Sequence, residues 1–383
     1  MGIYLDYNAS APIDDRVLEV MINVYKNVYG NADSRTHDYG DSARKIVEDA
    51  RGHVANLLGI DKGEVFFTSG STESNNIAIR GLQKYAEESG KKHIITSTIE
   101  HKSVLETVKS LKEEGFEVDL LDPEKDGRID LNKLLGRVRE DTLLVSLMHA
   151  NNETGVIQPV KEIGNILAEK GVLFHIDATQ SCGKLVPELK DLKYNMLSLS
   201  AHKLSGPQGV GALILRKKRY KLPPVKAITY GGRQEHGIRP GTIPVALVAG
   251  LGKACELANA EYENNVKAYI ENKAVVMRLI KESGFDYRIN GAQEYCMPNT
   301  INISLIGVES EALMLATKQY CAISNGSACT SHDYNPSYVL VAMGLDEDRI
   351  SSAIRISWGA KTDKDELAEQ VGKLIEVAKN LMF

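Results

Sequence analysis

Short, almost continuously apolar runs alternate with amphipathic stretches along the first half of the chain. The runs fall at 65–67, 93–96, 143–148, 173–176, 196–199 and 211–215, and helical patterns lie at 74–81, 104–114 and 163–170. Strands that are apolar on both faces and separated by helices are typical of a parallel sheet covered on both sides. Such sheets bind ligands at the carboxyl ends of their strands, so the residues that follow these runs are the candidates for a functional site.

Beyond about residue 244 the pattern changes. A long helical stretch from 245 to about 282 is followed by strands at 300–305 and 322–324 and by a polar helix from about 363 to 382. At 383 residues, 43% hydrophobic and 25% charged, the chain is long enough for more than one domain. We expect a large domain at 15–250 and a smaller α+β domain made of 1–14 and 251–383.

The overall charge and the cysteines argue against several classes of protein. With a net charge of −5 and a pI near 6.0, the chain lacks the basic footprint that usually accompanies direct nucleic-acid binding. The five cysteines form no CxxC pair, so they indicate neither a disulfide framework nor a zinc site. No signal peptide or membrane-length apolar run is visible, and we expect a soluble cytoplasmic protein without a membrane partner.

A lysine and a carboxylate follow two of the predicted strands. Lys203 comes just after the strand at 196–199, and Asp177 ends the strand at 173–176. A lysine in this place can hold an aldehyde as a Schiff base, and a buried carboxylate nearby can keep a pyridine nitrogen protonated. A solvated aspartate is the commoner alternative. Together the two residues predict a site for pyridoxal 5'-phosphate (PLP).

The segment 69–73, Ser-Gly-Ser-Thr-Glu, follows a strand and precedes a helix. Backbone N–H groups and the hydroxyls of Ser71 and Thr72 can face an anion at such a helix N-terminus. An ordinary helix cap is the alternative. Beside a lysine that holds an aldehyde, the phosphate-binding interpretation is favoured.

Further polar residues extend the candidate site. Asn152 lies in the turn 151–155, either as an ordinary turn residue or beside the cofactor ring. His101 could stack on that ring and move protons, although a lone histidine is more often structural. Gln180, three residues after Asp177, can reach the hydroxyl of the cofactor ring.

Two later segments are also candidates. The glycine-rich loop 231–242 is either a flexible loop or an active-site loop whose Thr242 donates to the phosphate across a dimer interface. Arg355 lies in an apolar stretch, where a guanidinium needs a partner. That partner is either a substrate carboxylate or an internal Asp or Glu. Cys329, in the small and polar segment 324–331, is predicted to be a reachable, reactive thiol.

In this order, these segments resemble the NifS/IscS-type (group I) cysteine desulfurases of the class V aminotransferase family. The most specific are 200–203 and 324–331, and the segment 30–37 is similar to the family's substrate-side motif. The resemblance implies the α/β PLP fold type I, similar to aspartate aminotransferase. In that fold a large domain carries a mainly parallel seven-stranded sheet, and the smaller domain is α+β.

The resemblance also implies a role for each matching residue. Lys203 would bind the cofactor and move protons, His101 would act as acid and base, and Cys329 would be the nucleophile. Cofactor contacts are implied for Ser71, Thr72, His101, Asn152, Asp177, Gln180, Ser200, His202, Lys203 and, from the other subunit of a homodimer, Thr242. Substrate contacts are implied for Arg355, Asn152 and Asn31.

The implied reaction converts L-cysteine to L-alanine and leaves a persulfide on Cys329, for donation to a sulfur-acceptor protein. The acceptor could serve iron–sulfur cluster assembly, tRNA thiolation or DNA phosphorothioation, and the segment 241–250 is similar to the phosphorothioation branch. We also hypothesise that His332 helps to activate Cys329. The alternatives are a selenocysteine lyase or aminotransferase on the same fold, and a sulfur carrier without turnover.

Overall fold

The computed structural model describes residues 2–325 and 336–382. The strands in these residues are β1 (Ile3–Tyr4), β2 (Val65–Thr68), β3 (His93–Ser97), β4 (Glu117–Leu121), β5 (Thr142–Met148), β6 (Leu173–Asp177), β7 (Met196–Ser200), β8 (Gly211–Leu215), β9 (Tyr287–Ile289), β10 (Thr300–Leu305), β11 (Cys321–Ala322) and β12 (Ala353–Ser357). The helices are α1 (Asp15–Asn27), α2 (Asp38–Leu58), α3 (Ser71–Arg80), α4 (Gln83–Ser89), α5 (Lys102–Glu113), α6 (Leu131–Arg137), α7 (Val160–Lys170), α8 (Val186–Asp191), α9 (Val245–Ala260), α10 (Tyr262–Glu282), α11 (Ser310–Thr317), α12 (Tyr338–Ala342), α13 (Glu347–Ser351) and α14 (Lys364–Asn380).

A seven-stranded sheet in the order β2-β8-β7-β6-β5-β3-β4 forms the centre of the fold. β8 runs antiparallel to β2 and β7, and the remaining neighbours are parallel. Successive residues of β3 alternate between two apolar clusters, with Ile95 packed among α2, α7 and α9 and Ile94 packed among α3 and α5. The predicted mainly parallel sheet, covered on both faces, is therefore confirmed.

The edge strand β4 was not among the apolar runs that predicted the sheet. Its sequence, Glu-Val-Asp-Leu-Leu, mixes exposed and half-buried positions, and only Leu121 is fully buried. A strand that is only partly covered does not need a continuous apolar run. The search for such runs therefore found the other six strands, including the buried edge strand β2, and missed this one.

A second structured region contains the antiparallel sheet β12-β10-β9 and the parallel pair of β1 with β11. Its core surrounds Trp358, the single tryptophan, and includes residues of α10 and α14. The N-terminal segment joins this region, since Ile3 pairs with Cys321 and Asp6 bridges Ser357. The domain boundaries at 15–250 and at 1–14 with 251–383 stay a prediction.

Two sequence expectations for this region were wrong. The helix expected from 245 to 282 is two helices, α9 and α10, which meet at Glu261 with a non-helical backbone (φ −103°, ψ 8°). Glu261 turns its carboxylate to Arg16 and forms an ion pair there. The strand expected at 322–324 is β11, Cys321–Ala322, and Ser324 instead forms an isolated bridge to Arg355.

No helix within residues 2–325 and 336–382 is long and apolar enough to cross a membrane.

Candidate active site

A cavity of about 480 Å³ opens at the carboxyl edge of the central sheet, where β5, β6 and β7 end. Most of the candidate residues from the sequence line this single cavity. They are Ser71, Thr72, His101, Asn152, Asp177, Gln180, Ser200, His202, Lys203 and Arg355. The structure therefore places these residues together, as expected for residues near the carboxyl ends of neighbouring strands. The role of each residue stays a prediction.

Two candidate residues within the described part of the chain do not line this cavity. Thr242 and Asn31 are exposed and lie outside its lining. Asn31 uses its side-chain oxygen to accept a hydrogen bond from the backbone of Asp33, at 2.9 Å. Cys329, and with it His332, lies outside the described residues.

Lys203 reaches the cavity from a short 3-10 turn, Ala201–Lys203, that directly follows β7. Its Nζ donates hydrogen bonds to the backbone oxygens of Asn8 and Ala9, both at 2.6 Å. Because those residues belong to the N-terminal segment, the lysine connects the central sheet with that segment. The contacts fix the position of the amine at the cavity wall.

Asp177 is the last residue of β6 and is 5% exposed. Its Oδ2 accepts a hydrogen bond from Asn75 Nδ2 at 2.8 Å, and its Oδ1 accepts from the backbone of Thr179 at 3.0 Å. The hydroxyl of Thr179 also donates to Oδ1. These donors orient the carboxylate, which suits a group that must present one oxygen to a ligand.

His101 caps the N-terminus of α5: its Nδ1 accepts a hydrogen bond from the backbone N–H of Ser103 at 3.1 Å. A backbone N–H can only donate, so Nδ1 carries no proton in the neutral ring and Nε2 carries one. The surrounding protein lowers the pKa of His101 through desolvation, an effect that the charge of Asp177 opposes. The imidazole is therefore held neutral with a defined tautomer.

Asn75 and Ser103 are functional candidates that the sequence did not single out. Asn75 Nδ2 donates to Ser103 Oγ at 2.8 Å as well as to Asp177, and Ser103 Oγ lies 2.8 Å from His101 Nδ1. Asn75 lies one turn into α3, the helix that starts at the candidate phosphate site. This position near the site was the only feature of the sequence that could have indicated a functional role for Asn75.

The candidate phosphate site lies at the start of α3. Gly70 adopts φ 151° and ψ 179°, a conformation that favours glycine, and no side chain in the described part of the protein caps the helix. Ser71 Oγ lies 2.6 Å from Thr179 Oγ1, and because the Thr179 hydrogen is used for Asp177, the Ser71 hydroxyl is the donor in this bond. The carboxylate of Glu73 accepts from the Ser69 backbone instead of capping the helix, which leaves the first helical N–H groups open to an anion.

Two further side chains complete this part of the cavity. Ser200 Oγ lies 2.8 Å from His202 Nδ1. Burial, together with the charges of Lys203 and Lys184, lowers the pKa of His202 to about 4. The ring is therefore neutral near pH 7 and can act as a hydrogen-bond donor or acceptor.

Arg355, on β12, has the internal ion pair that was weighed as an alternative. Its Nη2 lies 2.6 Å from Asp6 Oδ1, and its Nη1 donates to the backbone oxygen of Asn152 at 2.9 Å. Its buried Nε has no hydrogen-bond partner among the described residues. The guanidinium lines the cavity, so its role towards a substrate carboxylate stays a prediction.

The cavity fits PLP. Gln180 Oε1 and Asn152 Oδ1 are buried in its wall, and neither finds a hydrogen-bond partner within residues 2–325 and 336–382. Buried polar atoms are normally satisfied, so both atoms indicate a polar ligand. The open N-terminus of α3 suits the phosphate, Lys203 suits the aldehyde and Asp177 suits the ring nitrogen. The fold and this set of groups define the class of α/β enzymes that hold an aldehyde cofactor on a strand-terminal lysine.

The comparison with known proteins agrees with this class. Residues 3–369 match the aminotransferase class-V family, and the chain belongs to that family, whose members depend on PLP. The cysteine desulfurase IscS of Histophilus somni (strain 2336) is 44% identical over 384 residues, which span 100% of this chain and 94% of the relative.

Two solved structures share the fold over nearly the whole chain. A NifS-like protein superimposes with a TM-score of 0.91 at 36% identity and covers 100% of both chains. The structure of SspA in complex with cysteine gives a TM-score of 0.83 at 35% identity and covers 94% of this chain and 100% of the other. The family resemblance and the fold expected from the sequence are confirmed.

Proposed function

We propose that this protein is a PLP-dependent cysteine desulfurase, which converts L-cysteine to L-alanine and collects the sulfur as a persulfide on Cys329. The main support is that Lys203, Asp177, His101 and Arg355 line one cavity. A relative at 44% identity is a cysteine desulfurase, and a structural neighbour was solved with cysteine.

Each part of the cofactor has a matching group in the cavity. The N-terminus of α3, with Ser71 and Thr72, and the side chains of Ser200 and His202 would bind the phosphate. Lys203 would hold the aldehyde carbon, and Asp177 would pair with the ring nitrogen. Asn152 and Gln180 would contact the ring. When bound, PLP supplies an electron sink for bonds broken at the substrate Cα and Cβ.

The protein residues then position the substrate and move its protons. Arg355 would bind the substrate carboxylate through the guanidinium edge whose Nε has no hydrogen-bond partner among residues 2–325 and 336–382. Lys203 Nζ would take up and return the Cα proton. His101 is held neutral with its proton on Nε2, so it can donate that proton to the reacting group and recover it later.

The sulfur is transferred to the thiolate of Cys329. A bond forms between the two sulfur atoms and the substrate Cβ–S bond breaks, so its electron pair stays on Cβ, which is then protonated. The result is one alanine and one persulfide, and no external oxidant or reductant is needed. The sulfane sulfur can next move to a thiol of an acceptor protein.

The direct test is to incubate the PLP-loaded protein with L-cysteine and to measure alanine and protein persulfide. We expect both products in the parent and neither in Lys203→Ala. The Cys329→Ser variant should retain the cofactor absorbance and form no persulfide. Continued sulfur release by Cys329→Ser would contradict the proposal. Keto-acid formation by that variant would favour the aminotransferase alternative.

We further propose that the active unit is a homodimer, with Thr242 of one copy reaching the phosphate of the other. Thr242 is exposed and lies outside the cavity of its own chain, which supports this arrangement. The exposed face of α1, with Ile22, Tyr25 and the nearby Tyr29 exposed by 43%, 64% and 73%, is an apolar surface of the kind that a second copy would cover.

The sulfur-acceptor protein is proposed only as a chemical class. It would carry a reactive thiol and act in iron–sulfur assembly, tRNA thiolation or DNA phosphorothioation. A cytoplasmic location is supported by the free thiols of all four cysteines in the described part of the chain. Persulfide transfer to purified candidate acceptors would distinguish among the three pathways.

A further inference from the structure

A buried chain of hydrogen bonds joins two walls of the cavity that belong to different elements. It runs from Asp177, at the end of β6, through Asn75 on α3 and Ser103 on α5 to His101, at the N-terminus of α5. Asn75 is 0% exposed and Ser103 is 8% exposed. Each of the three links measures 2.8 Å. The chain therefore connects the proposed partner of the ring nitrogen with the proposed acid and base.

The donors and acceptors in this chain have a fixed direction. The amide nitrogen of Asn75 has two hydrogens, and it uses one for Asp177 Oδ2 and the other for Ser103 Oγ. Because Ser103 Oγ already accepts, its own hydrogen is available for His101 Nδ1. Nδ1 also accepts from the Ser103 backbone, so both contacts favour the ring form that lacks a proton on this atom.

The side-chain oxygen of Asn75 indicates that this residue does more than stabilise the fold. Its Oδ1 is buried, and no hydrogen-bond partner for it exists in residues 2–325 and 336–382. Leaving a buried carbonyl oxygen unpaired is costly, and an apolar residue of the same shape would avoid that cost. The amide is therefore best explained by its two donated hydrogen bonds, which a leucine could not make.

We propose that Asn75 is a positioning residue that aligns Asp177 with the cofactor and, through Ser103, sets the protonation state of His101. One amide group thereby controls a carboxylate and an imidazole that do different work in the same reaction. The proposal rests on the proposed PLP site, but not on the identity of the sulfur acceptor.

The first test measures His101 in the cofactor-free, full-length protein. NMR titration of ¹⁵N-labelled histidine, with the His101 signals assigned from His101→Gln, gives its titration midpoint. Asn75→Leu should raise this midpoint, because Ser103 Oγ becomes free to accept from a protonated ring and Asp177 loses a neutralising donor. Asn76→Leu is the matched control: its amide contacts Thr72 and Thr107 instead, so the midpoint should stay unchanged.

The second measurement is the dissociation constant of PLP. Asn75→Leu should raise it about tenfold, the effect expected for one lost buried hydrogen bond to a charged group. Ser103→Ala removes the hydroxyl that links Asn75 to His101 but leaves the hydrogen bond from Asn75 to Asp177. It should therefore raise the titration midpoint of His101 and leave the dissociation constant of PLP within about twofold of the parent value.

The proposal is overturned if the His101 midpoint is the same in Asn75→Leu and the parent, or if Asn76→Leu moves it equally. Should Asn75→Leu fail to fold, an unchanged midpoint in Ser103→Ala overturns it instead. The titration needs neither cofactor nor turnover. A protein that forms no alanine but shows the expected midpoints would therefore reject the desulfurase assignment and retain the role of Asn75.

Discussion

The buried ion pair between Arg51 and Glu235 leads to the most quantitative prediction. Arg51 Nη2 lies 2.7 Å from Glu235 Oε1, and the two side chains are 8% and 2% exposed. Glu235 Oε2 also accepts from Arg51 Nη1 at 2.9 Å and from the backbone of Phe67 at 2.7 Å. The pair thus fastens the glycine-rich loop 231–242 to α2 and β2.

Glu235→Ala should destabilise the protein strongly. It removes the buried counter-charge of the Arg51 guanidinium and the acceptor of the Phe67 backbone N–H, and breaking a buried pair on one side costs about 3–5 kcal/mol. Glu235 and His236 also have positive φ angles of 47° and 54°, which residues other than glycine adopt only where the surroundings hold them. Without the glutamate the loop loses the contact that keeps it in this conformation.

Glu48→Ala is the matched control. Glu48 contacts the same guanidinium, with its Oε1 3.1 Å from Arg51 Nε, but its side chain is 42% exposed. An exposed pair is worth about 0–1 kcal/mol, so this variant should be nearly neutral. The two variants therefore remove a carboxylate from the same arginine and differ mainly in burial.

Urea unfolding of the cofactor-free proteins, followed by far-UV circular dichroism, gives the two free energies by linear extrapolation. A loss in Glu235→Ala within about 1 kcal/mol of the loss in Glu48→Ala would refute the reasoning. The double variant Arg51→Met/Glu235→Leu provides a second check. It should recover most of the loss, because no buried charge is left without a partner.

Three further predictions concern titration and assembly. Burial raises the pKa of Glu100 to about 8, so at pH values between the unfolded and folded pKa the folded protein keeps a proton that the unfolded chain releases. In thermal unfolding, Glu100→Gln should therefore add more stability at pH 8 than at pH 5, and an equal gain at both pH values would contradict the raised pKa. Burial and the charge of Lys203 lower the pKa of Lys184 to about 7, so Lys184→Met should stabilise the protein most below pH 7 and least near pH 10 in urea titrations; a gain independent of pH would reject this. Mixed dimers of Lys203→Ala and Thr242→Ala chains contain one intact site if Thr242 acts across the interface, and PLP affinity should recover in half of their sites; no recovery on mixing would exclude that arrangement.

The sequence was sufficient to predict those residues of the candidate site that lie at or just after the end of a strand. Asp177 and Lys203 come directly after apolar runs, and parallel strands bring such residues to one edge. Arg355 could be recognised as a guanidinium in an apolar stretch, but the choice of Asp6 as its partner could not, because the two residues are 349 positions apart.

The sequence alone determined six of the seven strands of the central sheet, because short, continuously apolar runs separated by helical patterns favour strands that are buried on both faces. It also determined which residues stand at the strand ends. The tertiary structure decided the contacts between elements: Asn75 meets Asp177 across 102 positions, and the backbone of Asn8 meets Lys203 across 195. These contacts depend on how helices and the N-terminal segment pack against the sheet. Periodicity shows which face of a helix is buried, but it does not show which distant residue that face will meet.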